Sequence, residues 1–145
     1  GYLAAYLRER DFGVKILDGE NLKFSISQIV GLVLLIDPPI VGFSVAKSQL
    51  LSSRNIIGSL GKKAYRGKII AGGYFATLST EKLLNSCEGI DYAVIGEGEK
   101  TLFELVKAIK NEEDPSSVKG IAYRDREIHF CHDSGKAEFI IFLKK

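Results

Sequence analysis

Glycines and short polar side chains fall where the apolar runs of this sequence stop, and those stops are where it could do chemistry. Ser44 closes the run Ile40 to Phe43 and is followed by Val45, Ala46 and Lys47. Gly72 and Gly73 close Lys68 to Ala71 and lead into Tyr74, Phe75, Ala76 and Thr77. Gly96, Glu97, Gly98 and Glu99 follow Asp91 to Ile95 and open a helical stretch. Adjacent glycines make a tight turn, or let bare backbone lie against a flat ligand. A helix opening ordinarily suits phosphate, but two carboxylates at this one repel it. They can equally serve the helix dipole. Ser44 can bond within its own turn or border a ligand. His129, Cys131, His132 and Asp133 invite a metal, yet no second ligand pair stands at zinc-site spacing. Lone Cys87, on the apolar side of a short helix, reads as core. Asp18 marks one more strand end, but no acidic cluster with a matching Lys accompanies it, which ranks a receiver-type phosphoacceptor last.

The elements that must position these residues alternate. A helix with an apolar stripe at Leu3, Tyr6 and Leu7 opens the chain and closes at Gly13. Val14 to Leu17 reads as a short strand, and a helix capped by Ser25 or Ser27 runs to about Ile36 before Pro38-Pro39. Ile40 to Val45 is a continuous apolar run, as expected of a strand covered on both faces. Helix from Ser48 to about Ala64, strand at 68–71, a short helix capped by Ser79 or Thr80, strand at 91–95 and an amphipathic helix at 100–110 follow in turn. Strands alternating with helices make a parallel sheet with helices on both faces. In such sheets ligands sit outside the carboxyl ends of the strands. The pattern therefore expects the stops named above to gather on one edge.

Beyond Lys110 the rhythm breaks. Residues 112–117 read as a solvated linker, 119–124 and 127–131 as a β-hairpin, and Ala137 to Leu143 as a buried strand. The organisation expected is an α/β unit at 1–111 followed by a linker, hairpin and final strand at 112–145. The 145 residues, 46% apolar and 26% charged, suit one globular domain. Twenty basic and 18 acidic residues are dispersed, so no nucleic-acid groove is indicated. No apolar stretch is long enough to span a membrane, and two unrelated cysteines suit a reducing cytoplasm. With no Met, and a helix from its second residue, the chain reads as a piece of a longer or processed protein.

Taken in order, Tyr2 to Arg8, Val14 to Asp18, Val41 to Ser44, Gly72 to Thr77, Asp91 to Val94 and Gly96 to Glu99 resemble the cobalamin-binding domain of class B radical SAM proteins. That family includes methyltransferases and the anaerobic Mg-protoporphyrin cyclase type. Gly120 to Arg124 is similar to the element that links this domain to the catalytic barrel. The resemblance implies a flavodoxin-like (Rossmann-like) parallel sheet with helices on both faces and a C-terminal β-hairpin. It implies a cobalamin site at Ser44, Val45, Ala46, Lys47, Gly72, Gly73, Tyr74, Ala76, Thr77, Gly96, Glu97, Gly98 and Glu99, where carboxylates and backbone would meet the corrin's neutral amide arms.

Two departures bear on this expectation. The family's strand before the first helix is missing, and so is the Asp-x-His-x-x-Gly segment that supplies a lower cobalt ligand in its methionine synthase branch. No cobalt ligand or catalytic residue is therefore named. The Cys-x-x-x-Cys-x-x-Cys motif is also missing, which assigns the [4Fe-4S] cluster and S-adenosylmethionine to a separate or missing radical SAM domain. The functional expectation is a cofactor-carrying module, inactive by itself. The competing reading is a remnant or interaction domain that keeps the fold and binds nothing. The vacancy left by the first strand would be filled by residues 137–143, from the same chain or a neighbour, the latter giving a strand-exchanged dimer.

Overall fold

The computed structural model describes residues 2–125 and 127–131. The C-terminal run 137–143, with His132 and Asp133, lies outside them. Three parallel strands, β1 (Ile40–Ser44), β2 (Lys68–Gly72) and β3 (Tyr92–Val94), are extended by the antiparallel pair β4 (Ile121–Asp125) and β5 (Glu127–Cys131) into one sheet of order β1-β2-β3-β4-β5. The register aligns Ser44 with Gly72, Ala71 with Ala93 and Val94 with Ile121. The hairpin thus continues the parallel sheet directly, and Ala122 and Ile121, each 0% exposed, join the cores on its two faces.

Helices cover both faces, as the alternation requires. On one face α2 (Ile26–Ile36), α3 (Leu50–Lys62), α4 (Tyr74–Leu78) and α5 (Thr80–Ser86) bury Ile29, Ile57 and Leu83 against Val41, Phe43 and Ala71. On the other, α1 (Tyr2–Arg8) and α6 (Gly98–Lys110) bury Leu3, Leu7 and Leu105 against Ile70, Val94 and Ile121. The two are also joined by edge-on ring contacts of Tyr6 and Phe12 with Phe103. Local signals explain the boundaries. Ser25 and Gln28 form a reciprocal capping box for α2, and Asp37, with φ 47, ends it before Pro38. Among the described residues no helix is long and apolar enough to cross a membrane.

The structure corrects several boundary expectations. Val14 to Leu17 is not a strand. A strand exists only through a partner, and the sheet stops at β1. The Val14 carbonyl instead accepts from the Arg8 guanidinium, at 2.6 Å from Nη2 and 3.2 Å from Nε. Gly13 does not cap α1; Asp11 takes the left-handed position at φ 64, which a short acidic side chain tolerates. Asp18 is spent in a local turn with Asn21. Residues 74–78, to which the pattern assigns no element, form α4, and α6 begins at Gly98, two residues before the expected start.

At the far end of the sheet Tyr65 donates to the Pro38 carbonyl at 2.6 Å and lies over Gly67, where any Cβ would meet its hydroxyl oxygen at 2.0 Å. Burial, then Asp37, then Asp91, push its phenol up to about 12. The fold therefore favours the neutral phenol. That contribution to stability is whole below pH 10, the ordinary tyrosine value, and is lost as pH rises toward about 12. Tyr65→Phe is expected to flatten the fall in melting temperature over that interval and to remove the last-titrating tyrosinate absorbance. Tyr92, which burial also raises, keeps the remainder of the slope.

Candidate functional site: a glycine-lined slot at the carboxyl ends of the strands

Strand alternation decides which side chains meet here. Gly42, Ser44, Ile70, Gly72 and Val94 share the sheet face that carries α1 and α6. Where the strands end, this face and the two helices enclose a slot of about 30 Å³. Five glycines line it: Gly42, Gly72, Gly73, Gly96 and Gly98. The rest of its wall is hydrocarbon from Leu3 on α1, Leu102 on α6, and Ile70 and Val94 on the strands, together with the backbone at Phe43, whose ring packs in the core of the other face. A Cβ placed on Gly72 would meet nothing nearer than the Val94 Cβ at 3.9 Å, and one on Gly98 nothing nearer than Val94 Cγ1 at 3.7 Å. These two glycines are therefore not required by tight packing; what their missing side chains leave is the slot itself.

Gly73 differs. It has φ 96 and ψ −172, a conformation essentially restricted to glycine. An added Cβ would lie 3.0 Å from Ser44 Oγ and 3.2 Å from the Val45 nitrogen. This close approach lets the loops after β1 and β2 lock together: Val45 N–H donates to the Gly72 carbonyl at 2.9 Å, and Phe75 N–H donates to the Val45 carbonyl at 3.1 Å. Thr77 extends the lock to the third loop. Its hydroxyl donates to the Gly73 carbonyl at 3.1 Å and accepts from Gly96 N–H at 3.0 Å. Three strand ends are thus held in one spacing by backbone and one hydroxyl.

The sequence-expected positions divide accordingly. Gly72, Gly73, Gly96 and Gly98 line the slot. Ser44 is buried against Gly73, and Thr77 forms the bridge. Val45 and Ala76, both 0% exposed, turn their side chains into the opposite core. Ala46 N–H donates to Gln49 Oε1 at 3.2 Å, opening the 3-10 turn Lys47–Gln49. Lys47 and Tyr74 are exposed, and Glu97 precedes α6 in extended backbone with Glu99 in its first turn. Gly42, Phe43, Leu3, Ile70, Val94 and Leu102 were not foreseen. Only Gly42 had a readable signal, two residues before Ser44 and so on its face.

The metal-type residues lie elsewhere. His129 stacks on Tyr123, centroids 5.2 Å apart, and Tyr123 aligns with Tyr92 at the amino end of β3. The Cys131 thiol donates to the Ser116 carbonyl at 3.0 Å, and burial raises its pKa. Among the described residues no three His, Cys, Asp or Glu side chains are grouped to hold a metal ion.

Comparison with known proteins gives the following. The family model described as "B12 binding domain" matches residues 1–106. An uncharacterized methyltransferase of Pyrococcus horikoshii is 30% identical over 124 residues, 86% of this chain. The chain spans 27% of that relative's length. The anaerobic magnesium-protoporphyrin IX monomethyl ester cyclase of Synechocystis is 41% identical over 59 residues, 41% of this chain and 12% of the relative. Two solved structures of the radical S-adenosylmethionine methyltransferase TsrM from Kitasatospora setae superpose with TM-score 0.80 at 22% identity. One holds cobalamin and a [4Fe-4S] cluster and aligns with 94% of this chain and 27% of its own; the other, with tryptophan and a SAM analog, aligns with 92% and 26%. At that identity the likeness is one of fold.

Proposed function

The chain belongs to the B12-binding domain family, and we propose that it holds cobalamin across the carboxyl ends of its sheet as the cofactor-carrying module of a radical SAM enzyme. The observation that carries this reading is the slot. It is a cradle that a side chain on Gly72 or Gly98 would fill, with hydrocarbon walls and no polar side chain in its lining. Cobalamin carries one flat, largely apolar group on a flexible arm, its benzimidazole base, which matches the slot in polarity and would have to widen its roughly 30 Å³ to enter. The corrin, broad and fringed with neutral amides, is too wide for it and belongs at the rim. There Lys47, Tyr74, Glu97, Glu99 and exposed backbone offer hydrogen-bonding and stacking partners, while buried Ser44 and half-buried Ala46 shape the loop beneath them. Val45, Ala76 and Thr77 serve the same site indirectly, by fixing the loops.

Cobalamin, when bound, supplies a cobalt centre able to carry a methyl group or exchange electrons. No protein His is assigned to the cobalt in this reading: His129 sits at the opposite end of the sheet, and His132 lies outside the described residues. The [4Fe-4S] cluster and S-adenosylmethionine belong to a catalytic part outside this chain, whose two cysteines are too few for a cluster. Residues 1–111 supply the cofactor site, and β4 and β5 complete its sheet beside β3. The outer edge of β1 carries no strand among the described residues, and strand exchange between two copies at that edge is the associated mode of dimerisation.

Mixing the purified chain with hydroxocobalamin under anaerobic conditions, followed by gel filtration, tests the reading. One corrinoid is expected to co-elute per chain, read from its visible absorbance. A folded chain that elutes free of corrin absorbance would overturn the proposal and leave an interaction domain in its place.

A further inference from the structure

We infer that the β4–β5 hairpin is a working part of the cofactor site, with Gly120 the positioning residue that couples it to the loop from Ile95 to Glu97. This rests on the cobalamin reading above, in which Glu97 and Glu99 stand at the rim, and adds the device that sets their place. Two consecutive amides of that loop are held from opposite sides. Gly96 N–H donates to the Thr77 hydroxyl at 3.0 Å, from the β2 side. Ile95 N–H donates to the Gly120 carbonyl at 2.8 Å, from the hairpin side. Either bond alone would leave the loop a pivot. Together they fix the residues from which α6 starts.

Gly120 is built into this junction. It is buried, has φ 83, and an added Cβ would lie 2.8 Å from Thr101 Oγ1 and 3.3 Å from Thr101 Cγ2. Thr101 stands early in α6 and is 6% exposed, so it has little room to yield. The absent side chain lets hairpin, loop and helix meet at one point. The base of the hairpin is closed as well. Gly120 N–H donates to the Cys131 carbonyl, the Cys131 thiol donates to the Ser116 carbonyl at 3.0 Å, and Ile121, paired with Val94, is 0% exposed. A ligand that needs the loop in this place therefore favours the docked hairpin, and by linkage the docked hairpin favours the ligand. A loop released from Gly120 would have to be ordered at the moment of binding.

Hydrogen exchange of the intact chain, with and without saturating hydroxocobalamin, tests the coupling. The ligand is expected to slow exchange of Ile95 N–H and of the β4–β5 pairing amides severalfold more than that of α2, which reports stabilisation of the whole domain. Gly120→Ala, measured where the variant is folded, is expected to weaken cobalamin binding about tenfold, the effect of one hydrogen bond lost from the loop. Adding Thr101→Ala removes both close contacts and is expected to restore most of that affinity. Such a rescue follows the contact rather than overall stability, since Thr101→Ala deletes buried groups. If Gly120→Ala does not fold, the exchange comparison on the parent decides by itself. Hairpin amides slowed no more than those of α2, or Gly120→Ala binding as its parent does, would overturn the coupling and leave the cobalamin site standing. A folded parent that binds no corrin would sink the cobalamin reading, and this inference with it.

Discussion

Gly72→Val is expected to weaken cobalamin binding by about two orders of magnitude while leaving the fold intact. The position is the last of β2, its backbone is one any residue adopts, and the nearest atom to a new Cβ is 3.9 Å away. Val suits a strand better than Gly does, so stability should hold or rise slightly. The added methyls, however, stand in a slot of about 30 Å³ and close it to a ring. If the base buries roughly 120 Å² of apolar surface there, its exclusion costs about 3 kcal/mol, or about 150-fold in affinity. Titration followed by corrin absorbance reads the loss. Unchanged binding of cobinamide, which has no base, would place it at the base rather than the rim. A variant that binds cobalamin as its parent does would show that the slot is not used.

One residue along, the expectation reverses. Gly73→Ala should destabilise the fold by about 3 kcal/mol, about 10 °C in melting temperature, whatever is bound. Two costs combine. The backbone at φ 96 and ψ −172 is strained for any L side chain, and the Cβ presses on Ser44 Oγ and the Val45 nitrogen. Relief would mean parting the loops after β1 and β2, and with them the bonds from Val45 N–H to Gly72 and from Phe75 N–H to Val45. Thermal unfolding without ligand measures the effect. A melting temperature within 2 °C or so of the parent would mean that the loop lock contributes little.

That contrast marks how far the sequence can be read. The strand ends were legible because each of β1, β2 and β3 is a short apolar run stopped by Ser or Gly, and such runs imply a sheet covered on both faces. Adjacency was legible as well, since in a parallel sheet consecutive stops fall on one edge. The division of labour among neighbours was not. Gly72 and Gly73 look alike as letters and differ only by a dihedral and by what stands opposite. Val45 and Ala76 came in with their motifs because motifs are contiguous, whereas a strand or helix sends alternate side chains to different faces. Leu3 and Leu102 belong to helices nearly 100 residues apart and meet only through the fold. Val14 to Leu17 misled for a related reason: its pattern is local, but a strand depends on what lies beside it. The helix α4, five residues long, is too short for propensity to announce, and it forms because the loop lock starts it.

The wall made by α1 has a kinetic consequence. This helix is seven residues long and forms one side of the slot through Leu3, its packing partner being chiefly α6. A ring enters so small a slot only as that wall gives way. The frequency with which α1 yields then governs arrival, and above some concentration additional ligand no longer hastens it. The same wall governs departure. A corrinoid taken up in this way would leave no faster than α1 yields, so one motion gates both arrival and departure.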